Sequence, residues 1–226
     1  MILLSKEQLA RMIDHSLLHP SLTNEDIKKG CAEAVRHGFA AVVVNPAHIP
    51  LVAKALQGSR VKVCSVISFP FGLSPSVIKA HETRAVLAEG AQEIDMVMNF
   101  SALRSGYADV VRSDIKAVVD EAKRFSKSVI VKVIFENCYL SEEQKKQACT
   151  LSVESGADFV KTSTGFGTGG ATVDDVRLMR KAVGEKLGVK AAGGIKTLDQ
   201  ALSMIEAGAN RIGTSASVSI IEGLGA

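Results

Sequence analysis

Short apolar runs alternate with longer stretches of helical periodicity from one end of the chain to the other. The runs at residues 11–15, 39–45, 61–68, 93–99, 128–136, 158–162, 189–192 and 211–214 predict eight strands. Several are nearly continuous in Val, Ile and Ala, the pattern of strands covered by protein on both faces. Between them, residues 24–37, 46–57, 75–89, 107–125, 141–155, 172–183 and 197–207 predict helices. Their starts carry polar caps or first-turn prolines, as at Thr23, Pro46, Pro75, Ser141 and Thr172. Gly38, Gly90, Gly156 and Gly208 each stand between a helix and the next strand, where a left-handed residue turns the chain. Eight such units in 226 residues predict a (β/α)8 barrel, an α/β fold in a single domain over 1–226. Residues 4–10 would add a helix closing the bottom, and 217–224 a short last one. A doubly wound open sheet competes, but no G-x-G-x-x-G follows the first strand.

Composition narrows the function classes. Hydrophobic residues make up 46% and charged residues 23%, an ordinary globular balance. A net charge of +3 without a basic block argues against nucleic acid and leaves small anionic substrates open. Aromatics are 4% with no Trp, so stacking platforms for bases or glycans are not expected. No apolar run approaches the ~20 residues of a membrane helix, and the start lacks a basic leader. Cys31, Cys64, Cys138 and Cys149 form no C-x-x-C pair and read as reduced thiols of a cytoplasmic protein. The five histidines, His15 and His19 among them, show no metal-binding pattern, so no metal site is expected.

Ionisable residues recur where a barrel core would hold Val or Leu. Lys161 closes the sixth strand and Lys190 lies in the seventh, next to it. Asp95 occupies the fourth strand, and Asp14 is expected to end the first. Lys132 and Glu136 share one parity of the fifth. Buried charges cost several kcal/mol each unless paired, so the cluster points to function. A lysine attacks carbonyls as the neutral amine, and a second ammonium nearby favours that form. Glycine-rich loops holding Gly165, Gly193, Gly194 and Gly213, with the Ser215 hydroxyl, follow the last three strands, where barrels commonly bind phosphate. Lysine pair and phosphate cradle together describe Schiff-base chemistry on a phosphorylated sugar. Another Schiff-base aldolase, a transaldolase or a non-catalytic sugar-phosphate binder would share these features.

The segments Ile13-Asp-His-Ser-Leu-Leu-His-Pro20, Glu93-Ile-Asp-Met-Val-Met-Asn99, Val131-Lys-Val-Ile-Phe-Glu136, Ala157-Asp-Phe-Val-Lys-Thr-Ser-Thr-Gly-Phe166, Gly188-Val-Lys-Ala-Ala-Gly-Gly-Ile195 and Arg211-Ile-Gly-Thr-Ser215 resemble the deoxyribose-phosphate aldolase family. The resemblance implies a class I aldolase that reversibly cleaves 2-deoxy-D-ribose 5-phosphate to acetaldehyde and D-glyceraldehyde 3-phosphate, without metal or organic cofactor. It implies Lys161 as the Schiff-base lysine, Lys190 as its perturbing cation, and Asp95 in a proton relay. Asp14, Ser16, Lys132 and Glu136 would support them. Gly165, Gly193, Gly194, Gly213 and Ser215 would form the phosphate pocket. Homodimers or homotetramers are common in the family. Ser16, His19, Gly167 and Ala216 depart from its usual pattern, and the chain stops at Ala226 without a tyrosine tail. These departures bear on turnover rate and phosphate affinity, not on reaction type.

Overall fold

Eight parallel strands close on themselves in the order β1 to β8, each paired with its sequence neighbour and β8 with β1. This computed structural model describes residues 4–224; the extreme ends of the chain, including its last residue Ala226, lie outside the described residues. The strands are β1 Ile13–Leu17, β2 Ala41–Val44, β3 Lys62–Ile67, β4 Glu93–Val97, β5 Ile130–Ile134, β6 Phe159–Lys161, β7 Gly188–Ala192 and β8 Arg211–Thr214. Before β1 comes α1 Lys6–Ala10. The first connections hold α2 Asn24–His37, α3 Ile49–Ala55 and α4 Ser76–Ala88. After β4 come α5 Phe100–Arg104 and α6 Ala108–Phe125. The rest are α7 Glu142–Glu154, α8 Val173–Val183, α9 Leu198–Glu206 and α10 Ser217–Gly223. No helix among the described residues is long and apolar enough to cross a membrane.

Local chemistry starts and stops these helices as expected. Ser5, Thr23, Ser141 and Thr197 each accept from the backbone N–H three residues on, and the residue there returns a bond to the cap. Gly38 ends α2 at φ 71°, a conformation that costs a side-chain-bearing residue about 1–2 kcal/mol. Three elements differ from expectation. Pro46–His48 form a 3-10 turn before α3 begins, while α5 and a second 3-10 turn at Asn137–Tyr139 occupy stretches with no expected element. In α5 the Asn99 side chain caps the helix by accepting from Ala102 N at 2.9 Å.

Register decides which residues meet inside. Partners in adjacent strands face the same side, so Asp14↔Ala41, Val66↔Asp95, Asp95↔Lys132, Lys161↔Lys190 and Lys190↔Arg211 share the interior. One small apolar cluster, built on Ala41, Val43, Cys64 and Val66, fills the side lined by β2 and β3. Charged side chains occupy much of the rest, with Phe159 beside Arg211 and Ile134 beside Lys161. The main hydrophobic core lies outside the barrel, between strands and helices, with Ile13, Val42, Ile94, Val131 and Ile212 among its fully buried members. Stability rests on that outer shell, which leaves the interior available for polar groups.

Candidate active site

Asp95 is the hub. Its Oδ2 accepts from Lys161 Nζ at 2.8 Å and from Lys190 Nζ at 2.7 Å, so the two amines lie one oxygen apart. Its Oδ1 accepts from Lys132 Nζ at 2.8 Å. Lys190 also donates to Asp14 Oδ2 at 2.5 Å, and Lys132 reaches Glu93 at 2.6 Å. Arg211 closes the circuit by donating to Asp14 Oδ1 and, at 3.1 Å, to Glu93 Oε1. Arg211, Asp14, Lys190, Asp95, Lys132 and Glu93 thus form a ring of three cations alternating with three carboxylates. Lys161 hangs from that ring as a fourth cation.

Charge balance follows. Asp95 is pushed up by burial, but Lys132, Lys161 and Lys190 together hold it well below the usual carboxylate range. Burial likewise raises Asp14 while Lys190, Lys132 and Arg211 bring it down. Burial presses on Lys190 and Lys132 too, yet their carboxylate partners keep both above the ordinary lysine value. Lys161 goes the other way: burial lowers it, Asp95 opposes, and Lys190 lowers it further. The neighbouring ammonium therefore acts as expected but is not the main cause, which is removal from water. The ring is neutral without Lys161, so an uncharged amine there leaves no carboxylate unpaired. It still donates its hydrogen bond to Asp95.

Lys161 is also the network's opening to the outside. A cavity of about 470 Å³ at the carboxyl ends of the strands is lined by Lys161 and by the loops after β1, β6, β7 and β8. Ser16, Gly165, Gly193, Gly194, Gly213 and Ser215 all line it. So do His19, already tied to phosphate affinity as a departure from the family pattern, and Thr164, Phe166 and Lys196, which the sequence reading had not placed there as ligand-facing groups. Lys196 follows the Gly193-Gly194-Ile195 turn, a position from which its cation could have been noticed. A larger groove of about 650 Å³ lies between α7 and α8, but it is remote from the network, and its Lys145–Asp175 pair at 2.6 Å is a bridge between helices.

Small residues make room for this arrangement. A Cβ on Gly213 would stand 3.0 Å from Lys190 Cε, so glycine there lets the lysine stem cross toward Asp14. Gly170 and Gly193 touch backbone to backbone, and Ala171 N donates to Gly193 O at 2.9 Å. The Thr162 hydroxyl splices β6 to β7 beside both lysines, donating to Ala192 O and accepting from Ala192 N.

Two expectations are corrected. Asp14 does not end the first strand: β1 runs on to Leu17, because its pairing with β2 extends to Leu17↔Val44, and Asp14 sits deep in the barrel. Ser16 and Leu17 are therefore the β1 residues that reach the cavity. Glu136 does not continue the inward face of β5 with Lys132. It lies beyond the strand at φ 57°, where its carboxylate accepts from Thr164 N at 3.2 Å and from the Thr164 hydroxyl. Burial raises it above the ordinary glutamate value. Its place is behind the β6 loop, pinning that loop. Glu93 and Arg211 are the network members the sequence reading missed; each is the first residue of its strand and shares parity with a recognised site position, Asp95 or Gly213.

A closed parallel barrel with its charged cavity at the carboxyl ends of the strands is the architecture of the barrel aldolases. A solved structure named QR15, an aldolase, superposes with a TM-score of 0.89 at 42% identity over 96% of this chain and 95% of its own. The family model described as DeoC/LacD family aldolase matches residues 9–222, and the chain belongs to that family. It is 58% identical over 217 residues to a deoxyribose-phosphate aldolase of Thermococcus gammatolerans, covering 95% of this chain and 96% of the relative. A deoxyribose-phosphate aldolase of Carboxydothermus hydrogenoformans is 53% identical over 222 residues, 98% of this chain and 97% of its own. The tetrameric deoxyribose phosphate aldolase of Aeropyrum pernix superposes with a TM-score of 0.91 at 35% identity, over 97% and 92% of the two chains.

Proposed function

We propose that this chain is a class I aldolase that reversibly cleaves 2-deoxy-D-ribose 5-phosphate to acetaldehyde and D-glyceraldehyde 3-phosphate. The observation that carries the reading is the position of Lys161, a buried amine that opens on the cavity beside a charge network already balanced without it. Its nitrogen adds to the C1 aldehyde of the open-chain sugar phosphate, and loss of water gives an iminium. Acetaldehyde retains C1 and C2, so the bond broken is C2–C3. Its electron pair flows into the iminium to form an enamine while the C3 hydroxyl gives up its proton and becomes the new aldehyde. Protonation at C2 and hydrolysis then release acetaldehyde and free Lys161.

Asp95, hydrogen-bonded to both amines, moves protons at the carbinolamine and enamine stages with Lys190. Asp14 and Lys132 hold those two in place, and Ser16 offers a hydroxyl at the cavity wall. Gly165, Gly193, Gly194, Gly213 and Ser215 receive the phosphate at the other end of the cavity, where the backbone comes close to an oxyanion. Phosphate binding there fixes the geometry of the distant aldehyde. The same reading includes a cytoplasmic setting and a homo-oligomer. All four cysteines are free thiols, and the Aeropyrum pernix relative is described as tetrameric.

Acetaldehyde with borohydride tests the assignment directly. A reduced two-carbon adduct is expected on Lys161 by peptide mass spectrometry, with turnover of 2-deoxyribose 5-phosphate lost in Lys161→Ala. Active protein without label at Lys161 removes the role. Turnover of fructose 6-phosphate in place of the deoxy sugar would reassign the substrate.

A further inference from the structure

Glu93 and Arg211 start β4 and β8, at the end of the barrel away from the cavity, and neither lines it. They nevertheless complete the six-membered charge ring. Glu93 is buried and meets Lys132 at 2.6 Å; the Arg211 guanidinium bridges Glu93 and Asp14 and sits 5.8 Å over the Phe159 ring. Without them Asp14, Lys190, Asp95 and Lys132 would close only through the longer Lys132–Asp14 contact at 3.7 Å.

We propose that Glu93 and Arg211 are positioning residues that hold the ring beneath Lys161 at zero net charge, so that Lys161 is the amine that gives up its proton. This rests on the aldolase reading above and assigns two residues it does not use. The groups facing Lys161 bear it out element by element. Asp95 comes from β4, Lys190 from β7, the Cys64 thiol from β3, and Glu136 from beyond β5. Behind them stand Lys132 on β5, Asp14 on β1 and the Glu93–Arg211 pair, while β2 contributes only Ala41 and Val43. His19 and Lys196 stand at the cavity wall. In this set, Glu93 and Arg211 are ring members that touch neither Lys161 nor the cavity, and removal of either leaves every other ring member with an opposite charge in contact. Without Glu93, Lys132 keeps Asp95 and Arg211 keeps Asp14; without Arg211, Asp14 keeps Lys190 and Glu93 keeps Lys132.

The consequence is a sign. Glu93→Gln leaves the ring with an extra positive charge, which drives the proton from Lys161 at lower pH. Arg211→Gln leaves an extra negative charge, which holds the proton to higher pH. A unit charge acting across roughly 10 Å at an effective dielectric near 20 moves the transition by about one pH unit.

The experiment is the pH dependence of borohydride-trapped acetaldehyde on Lys161 in the full chain. The acid limb should fall by about one pH unit in Glu93→Gln, rise by about one in Arg211→Gln, and return to its original place when both are combined. Arg211→Lys, which keeps the charge, should leave the limb where it is. Loss of packing would move both single variants the same way. Shifts of the same sign, no shift in either folded variant, or a displaced limb in the double variant overturns the proposal. No adduct on Lys161 in the unmodified protein would instead sink the aldolase reading itself.

Discussion

Replacing Gly170 by Ala tests whether the close approach of the β6 and β7 loops shapes the phosphate end of the cavity. An ideal Cβ on Gly170 would lie 2.2 Å from the Gly193 carbonyl oxygen and 2.5 Å from its carbon. Ordinary contact begins at 3.4 Å, so the two backbones must separate by about 1.2 Å, the difference of those distances. Both partners are main chain, and no rotamer change relieves the clash. Overpacking of this kind costs about 1–3 kcal/mol, and loss of the Ala171 N to Gly193 O bond about 0.5–1.5 more. The displaced residues Gly193 and Gly194 line the cavity, while Lys161 stays tethered to Asp95 from below. Since about 1 Å of misplacement far from the chemistry can cost up to ~100-fold, KM for 2-deoxyribose 5-phosphate should rise by at least about tenfold. The rate of acetaldehyde trapping on Lys161 should change little. Steady-state kinetics on phosphorylated and unphosphorylated 2-deoxyribose separate the two effects. An equal loss on both substrates, or an unchanged KM for the phosphorylated one, would refute the reasoning.

Two further outcomes concern stability. His15 is buried on the outer face of β1, bonded to Ser217 Oγ at 3.0 Å and packed on Phe39. Burial, against the opposing pull of Glu33, lowers its pKa from 6.5 to about 4. The folded protein disfavours the charged ring, so its contribution is complete above 6.5 and is lost as pH falls through about 4. That contribution is on the order of 3 kcal/mol. Urea titrations should show a flatter pH dependence over that window in His15→Gln; an unaltered slope rules His15 out as the cause. Lys79 and Asp114 form a buried pair at 2.5 Å joining α4 to α6. Lys79→Met strands a carboxylate and should cost about 3–5 kcal/mol, with part recovered when Asp114→Asn is added. A loss under about 1 kcal/mol, or no recovery, would count against a charge effect.

The sequence was legible wherever the controlling interactions are local. The limits of α2 coincide with the expected ones because Thr23 and Gly38 are cap residues within one turn of its ends. Lys161, Lys190 and Asp95 stood out because a charged side chain at an inward strand position breaks an apolar pattern. Glu93 and Arg211 were passed over because they begin their strands, where a charge reads as a solvated end. Period-two parity with Asp95 and Gly213 was the available signal. Glu136 was misread for the opposite reason: parity assumes the strand continues, and a left-handed residue there ends it.

By itself the chain determined the number of strands, the helices between them, the barrel class and the lysine that opens on the cavity, since periodicity, caps and glycine punctuation act over a few residues. Which charges neutralise which was decided only by closure. Lys190 and Asp14 are 176 positions apart and meet because β8 pairs with β1. Burial, which does most to lower Lys161, is likewise a property of the assembled barrel, since only the finished fold removes that amine from water.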